Sequence, residues 1–505
     1  MEPGPEATRW SGGGTEAPRA SEVVLGFADR HRRFLPPLLG LWFLAFCNGR
    51  WRLESDGAVA LTVGRSIARG GGFTHPDGLH APLSQGLPRV AAWGFRLFGD
   101  GSVTLPLLAI GACWAAGLAL CFLLVRRAAG RPTAVLVTAL LGLTEAWTTY
   151  AVWVRTDLPF ATGVLAVLLG WEWLAPAGGA RPRRAAGAAL LALGLALCYL
   201  TRSVWVIPAV AVALAAAWRA AGGRWRWWLP ALPLPVLGAF GLALAASPAL
   251  RDDAEMLLGR FERDTGGQLR ETLTLRLPRL FTESLPEAVF GLDVGPVATA
   301  LASAVLLTGL FLAVTRPLRP LWLALPLLFA AQWVAFHVHD RYVLPLLPLL
   351  LLGWWAAAVR LEAIGFRSRV PLLSPALRWA APAALVACVG MNAAESVALL
   401  KEQRGPAYAE ARERRLAAAG RWLREHSPPD AVVLTGLDPS ATLAFLADRR
   451  VLSGRELEKL ADAELPAGPW FFFEPLDGRA RRAAGAAGLV AGEPVGPSLL
   501  RARRR

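Results

Sequence analysis

The chain is poor in charge, in lysine and in cysteine. Only 18% of its 505 residues are charged, against 54% hydrophobic, and the mean hydropathy is +0.41. Soluble globular chains carry about 25% charged and about 45–50% apolar residues, so an ordinary soluble enzyme is excluded. The five cysteines all lie inside apolar runs and no pair has metal-ligand spacing, which excludes a disulfide framework. The same numbers exclude collagen and a wholly disordered chain. Nearly all basic residues are arginine, a mark of coding bias rather than chemistry.

What the chain has instead is length in apolar runs, each long enough to approach or cross a bilayer of about 17–25 helical residues. They run from about Phe34 to Asn48, Val103 to Val125, Thr133 to Tyr150, Leu158 to Leu174, Ala185 to Leu200, Val204 to Trp218, Trp227 to Ser247, Val297 to Val314, Leu318 to Phe336, Val343 to Val359 and Trp379 to Leu400. The expectation is a polytopic α-helical membrane protein with about eleven transmembrane helices. The first run follows Arg30, Arg32 and Arg33 and reads as an uncleaved signal anchor. Residues 1–33, rich in Gly, Pro and Glu, read as a disordered cytoplasmic tail, and residues 34–400 as the membrane domain. Residues 401–505 have the composition of a small extracytoplasmic α/β domain, with a helix over Ala411 to His426, a strand over Ala431 to Thr435, a helix over Ser440 to Ala447 and a strand over Trp470 to Phe473.

The net charge is 53 − 38 = +15, with pI ≈ 10.9. Nucleic acid is not the implied partner, because the arginines gather in alternate short loops. Arg126, Arg127 and Arg131, then Arg181, Arg183 and Arg184, then Arg219, Arg224 and Arg226, then Arg316 and Arg319, then Arg360, Arg367 and Arg369 mark one side; the other carries only Arg155, Arg202 and Arg341. The positive-inside rule places the first set, and the N-terminus, in the cytoplasm. The extracytoplasmic loops are then 49–100 and 248–295, and the C-terminal domain is outside. A multi-pass location in a cell membrane follows, and the resemblance given below implies the bacterial inner membrane.

This orientation gathers the scarce polar residues at span ends on one face. Charge near membrane depth is costly and defaults to function. Glu54 and Asp56, at i and i+2 just past the first run, suit acid–base work, a shared metal ion or a helix N-cap. Asp157, followed by Pro159, suits a helix start and brings a second carboxylate to the same level. Arg155 is placed to neutralise it. Arg202 sits between two apolar runs with almost no loop, where its planar fork suits phosphate or lipid headgroups. His337, His339 and Asp340 precede Arg341 and Tyr342; the two histidines admit a metal ion only with a third ligand from elsewhere, and Arg341 with Tyr342 suits phosphate and sugar. In the loop before Pro296, the leucines at 257, 258, 273, 275 and 277 give partial amphipathic periodicity, read as interfacial helices.

Glu54-Ser55-Asp56, the following Gly57 and amphipathic stretch to Arg65-Ser-Ile-Ala-Arg-Gly-Gly-Gly-Phe73, Thr156-Asp157-Leu-Pro-Phe160, Tyr199-Leu-Thr-Arg202 and Arg341-Tyr342-Val-Leu-Pro-Leu-Leu-Pro348 together resemble bacterial GT-C glycosyltransferases of the family 39, arabinosyl/mannosyl-transferase-like kind. The likeness covers roughly Phe34 to Leu400 and departs at Gly57, where many relatives have a second acid or Tyr. It implies an integral-membrane enzyme that moves a sugar from a polyprenyl-phosphate donor to a lipid, glycan or protein acceptor at the extracytoplasmic face, with inversion. It further implies Asp56 as general base, Asp157 and Glu54 orienting the acceptor or a divalent cation, Arg202 and Arg341 on the donor phosphate, and Tyr342 beside the sugar. The rival class is a membrane transporter or lipid flippase, which should show internal repeats and charges at the midplane; the chain shows no convincing repeat.

Overall fold

The computed structural model describes residues 19–47, 55–74, 84–174, 181–220, 267, 270–290, 296–315, 320–335, 340–367, 377–404, 408–436, 440–459 and 466–504. Glu54, His337, His339 and the expected span from Trp227 to Ser247 lie outside them. Among the described residues, six helices are long and apolar enough to cross a bilayer: Thr104–Ala129, Asp157–Leu174, Arg181–Thr201, Ser203–Ala220, Leu344–Arg367 and Ala380–Lys401. The chain is a multi-pass membrane protein. The other expected runs within the described residues also form helices, including Leu35–Phe46, Pro296–Thr315 and Pro320–Ala335.

Three local expectations are corrected. Residues 20–31 are not tail but a helix, Ala20–His31, tied down at both ends. The Ser21 amide donates to Glu362 at 3.1 Å, and Asp29 accepts two bonds from Arg131 at 2.8 Å each. Val23, Val24, Leu25 and Phe27 give this segment an apolar surface too short to register as a run. The Thr133 to Tyr150 stretch breaks at Thr144, whose backbone is extended between helices Arg131–Leu143 and Glu145–Thr149. The break is satisfied from outside: the Glu145 amide donates to the Asn392 side chain at 3.2 Å. In the loop before Pro296, Leu273 and Leu275 face outward, and Thr272, Arg276 and Leu280 are buried instead.

Two glycine pairs lock the most tightly packed helices. Gly163 and Gly170 of Asp157–Leu174 meet Gly194 and Gly187 of Arg181–Thr201, where an added Cβ would stand 3.0 and 2.8 Å from the facing carbonyl oxygens. Small residues spaced so let helix backbones approach closely. The antiparallel lock brings the start of one helix, Asp157, beside the residue after the end of the other, Arg202.

The C-terminal part is a five-stranded sheet of order β2-β1-β3-β5-β4, with β1 Val432–Thr435, β2 Arg450–Ser453, β3 Trp470–Phe473, β4 Leu489–Gly496 and β5 Leu499–Arg504. β2, β1 and β3 are parallel, and β5 and β4 run antiparallel. Trp470 and Phe472 pack on one face, Phe471 and Phe473 on the other. That alternation explains a fully apolar strand covered on both sides.

This domain docks on the helix Ser55–Ala68. Arg65, 3% exposed, donates to Asp100 at 2.8 Å and to the Phe445 carbonyl at 2.6 Å, and lies 4.4 Å over the Phe445 ring. Arg69 bonds Asp100 and Asp448 at 2.7 Å each. Asp448, just past the helix Ser440–Ala447, has φ of +55°, a left-handed turn that Asp tolerates.

Candidate functional site

The site is built at one end of the bundle from four segments. Asp56 stands in the first turn of the helix Ser55–Ala68, where a carboxylate suits the positive end of the helix dipole. Gly57 follows because the helix presses onto the strand of chain before Asp157: a Cβ there would overlap the Val154 carbonyl oxygen. The departure from the family pattern at Gly57 therefore has a steric cause. Asp157 opens its helix and is 3% exposed. Arg202 leaves its helix in extended conformation, with φ −148° and ψ 147°. Arg341 and Tyr342 lie in the short turn Asp340–Tyr342, ahead of the Pro345 turn and the long helix Leu347–Arg367.

These segments meet in two ion pairs. Arg341 donates to Asp56 at 2.6 Å, and Arg202 donates to Asp157. Asp157 is thus met by Arg202 from the neighbouring helix, a partner not foreseen from its sequence neighbours. Both guanidiniums lie over the Tyr342 ring at 5.2 Å from its centre, and Arg341 also donates to the Tyr342 hydroxyl at 3.3 Å. A cation over an aromatic face is stabilised by roughly 0.5–2 kcal/mol. Tyr342 thereby holds two like charges near each other. Arg155 lies over the rings of Trp153 and Tyr150 at 4.9 and 5.7 Å.

Among the described side chains, three arginines face two carboxylates. Burial pushes the Asp56 carboxyl up, but Arg341, with Arg155 and Arg202 behind it, outweighs burial and holds it below the usual carboxylate range. Arg341 is displaced upward: burial works against its charge, and Tyr342, Asp157 and Asp56 more than compensate. The excess of positive charge suits an anion. Each described carboxylate is engaged by an arginine, and Glu54, His337 and His339, the other expected metal donors, lie outside the described residues. No group of three or more His, Cys, Asp or Glu among the described residues is placed to hold a metal ion.

A narrow cleft runs between Asp157, Arg202, Arg341 and Tyr342, with free space of about 10 Å³, room for about one water-sized sphere. Its wall includes Phe329 and Gln332 of the helix Pro320–Ala335, together with Phe160, Val204 and Pro345. Gln332 was not among the residues expected at the site. Its signal in the sequence is a lone amide in an otherwise apolar helix. Asp340 lies in the same turn as Arg341.

No family model matches the sequence, and no curated protein matches it by sequence. Solved structures do match in fold. ArnT from Cupriavidus metallidurans in the apo state aligns over 94% of this chain and 98% of its own, at TM-score 0.55 and 15% identity. The same protein bound to undecaprenyl phosphate aligns over 96% and 98%, at TM-score 0.55 and 14% identity. The archaeal oligosaccharyltransferase AglB from Archaeoglobus fulgidus, in complex with an inhibitory peptide and a dolichol-phosphate, aligns over 86% of this chain and 64% of its own, at TM-score 0.53 and 14% identity. The chain shares the fold of these two proteins, and the fold is what the likeness establishes.

Proposed function

We propose that this chain is an integral-membrane glycosyltransferase that moves a sugar from a polyprenyl-phosphate donor to a lipid, glycan or protein acceptor. The observation that carries this is the double pairing of Asp56 with Arg341 and Asp157 with Arg202 around one tyrosine ring. The undecaprenyl phosphate and dolichol-phosphate held by the two structural relatives support the donor class. We place the site at the extracytoplasmic face, with the N-terminus in the cytoplasm and the sheet domain outside, on the arginine asymmetry of the loops.

The chemistry follows from the charges. The donor phosphate competes with Asp56 and Asp157 for Arg341 and Arg202, whose planar forks match phosphate oxygens. Once Arg341 is drawn to phosphate, Asp56 regains lone pairs and basicity. The acceptor oxygen attacks the anomeric carbon from the face opposite the lipid phosphate. The bond from that carbon to the phosphate oxygen breaks, and the polyprenyl phosphate leaves with the electron pair, stabilised by Arg341 and Arg202. Asp56 takes the acceptor proton. Configuration at the anomeric carbon inverts. Asp157 holds Arg202 ready until the phosphate arrives, Tyr342 lies beside the sugar, Arg155 borders the acceptor side, and Glu54, outside the described residues, keeps the acceptor-orienting role that the resemblance implies.

Neither of the two relatives named above is described as a transporter or flippase. The test is full-length protein in lipid nanodiscs incubated with labelled undecaprenyl-phosphate sugars and membrane extract. Expected is loss of label from the lipid and its gain by an acceptor, abolished in Asp56→Asn and Arg341→Gln. Full transfer by correctly inserted Asp56→Asn overturns the assignment. Transbilayer movement of donor without consumption favours the carrier.

A further inference from the structure

We infer that Gln332 is a donor-recognition residue that binds a hydroxyl group of the transferred sugar, an assignment that rests on the glycosyltransferase function proposed above.

The helix Pro320–Ala335 has sixteen residues, and Gln332 is the one among them with an amide, hydroxyl or charged side chain. Leu321, Trp322, Leu325 and Phe329 form its buried stripe at helical spacing. Gln332, three residues after Phe329, continues that stripe toward the ion pairs. Helical periodicity calls for an apolar residue at this position, and a polar group on such a stripe is destabilising unless it is bonded. The Gln332 side-chain oxygen is buried yet finds no hydrogen-bond partner among the described residues. A break in the apolar pattern with no compensating bond among the described residues is the mark expected of a functional position.

The cleft says which ligand. Gln332 and Phe329 line it together with Asp157, Arg202, Arg341 and Tyr342. A second buried atom there, the Arg341 Nε, also finds no partner among the described residues. One unmet acceptor and one unmet donor thus border the same cleft. A glycosyl phosphate carries the complement: anionic oxygens for the guanidinium and sugar hydroxyls for the amide oxygen. The amide oxygen repels phosphate and accepts from a hydroxyl, so the phosphate belongs to the arginines and the sugar to Gln332. Phe329, packed edge-on against Phe160 at 6.3 Å, gives that end an apolar wall for a sugar ring face. The donor must widen the cleft to enter, and it does so by displacing the carboxylates from the arginines.

The test uses full-length protein in nanodiscs, first screened against undecaprenyl phosphate linked to glucose, galactose, mannose and arabinose. The variant Gln332→Met keeps the length of the side chain and suits the apolar stripe. Its melting temperature should equal or exceed that of the wild type. With the best donor, kcat/KM should fall roughly 10- to 100-fold, the range for leaving a substrate hydrogen bond unmade. Inhibition by undecaprenyl phosphate without sugar should stay within about twofold of wild type. Among monodeoxy analogues of that donor, one should be as poor with the wild type as the parent donor is with Gln332→Met, and the variant should no longer distinguish the two.

Three results overturn the assignment. One is a Gln332→Met protein that is markedly less stable or misfolded, which makes the amide a structural group. Another is unchanged kcat/KM and unchanged discrimination among deoxy donors. The third is loss of inhibition by sugar-free undecaprenyl phosphate in parallel with loss of transfer, which assigns the amide to phosphate. If the wild type consumes none of the four donors, the glycosyltransferase function falls and this assignment with it; if only the Gln332 comparison fails, that function stands.

Discussion

Arg341 reaches across 285 positions of sequence to donate to Asp56 at 2.6 Å. The pair joins the helix Ser55–Ala68 to the turn before Leu347–Arg367, so the proposed base and the proposed phosphate-binding arginine neutralise one another. Asp56→Asn keeps the size of the side chain and removes the base. Transfer should fall about 10²–10⁴-fold, with donor binding retained or tightened, as judged by competition with undecaprenyl phosphate.

Removing the arginine should shift a pH profile in a known direction. Arg341, Arg155 and Arg202 hold the Asp56 carboxyl low against burial, which acts to raise it. In Arg341→Gln, burial is less opposed, with only Arg155 and Arg202 left to lower the carboxyl, and the acid limb of kcat/KM moves to higher pH. The rate on the plateau should also drop by roughly 10²–10³, for loss of leaving-group stabilisation. In the wild type, the stabilisation from this pair is present above about pH 4, the unfolded carboxyl value. It fades as pH falls through the lower folded value. An acid limb unmoved in Arg341→Gln would remove Asp56 from the role of base.

Gly57 sets the distance between the Asp56 helix and the chain before Asp157. Gly57→Ala puts a methyl group against the Val154 carbonyl. The helix must lift, and displacement of a catalytic group by about 1 Å lowers rate about 10²-fold. The loss should appear in kcat more than in donor KM. Wild-type kcat in this variant would show the close approach to be incidental.

The sheet domain is held through Arg65. Burial pushes the Arg65 guanidinium down, and Asp100 and Asp448 pull the other way. Arg65→Met should lower stability by about 2 kcal/mol, less than a fully buried pair, because Asp100 is 44% exposed. Limited proteolysis should then release the region after Arg404 faster than in the wild type. Equal release rates would mean that the apolar contact of Phe95 with Phe445 suffices.

The apolar runs made the helices legible because membrane burial needs no partner information. The β3 strand and the helix Ser440–Ala447 were legible to the residue, since short apolar blocks between turn residues leave little choice. Asp56, Asp157, Arg202 and Arg341 stood out as scarce charges at span ends. What the sequence could not show was who meets whom. Asp157 has Arg155 two residues away, yet the glycine lock delivers Arg202. The break at Thr144 depends on Asn392, and the burial of Arg65 depends on a domain 380 positions away. Gln332 was hidden because a single amide barely alters the hydropathy of its helix.

The two ion pairs differ in when the ribosome can supply them. Asp157 and Arg202 are 45 positions apart on one glycine-locked hairpin. They can neutralise each other as that hairpin leaves the translocon, so neither charge enters lipid alone. Asp56 must wait for another 285 positions of synthesis before Arg341 arrives. Chain order alone thus lets the Asp157–Arg202 pair form first and leaves the Asp56–Arg341 pair, which the proposed function assigns to the acceptor proton, to form last.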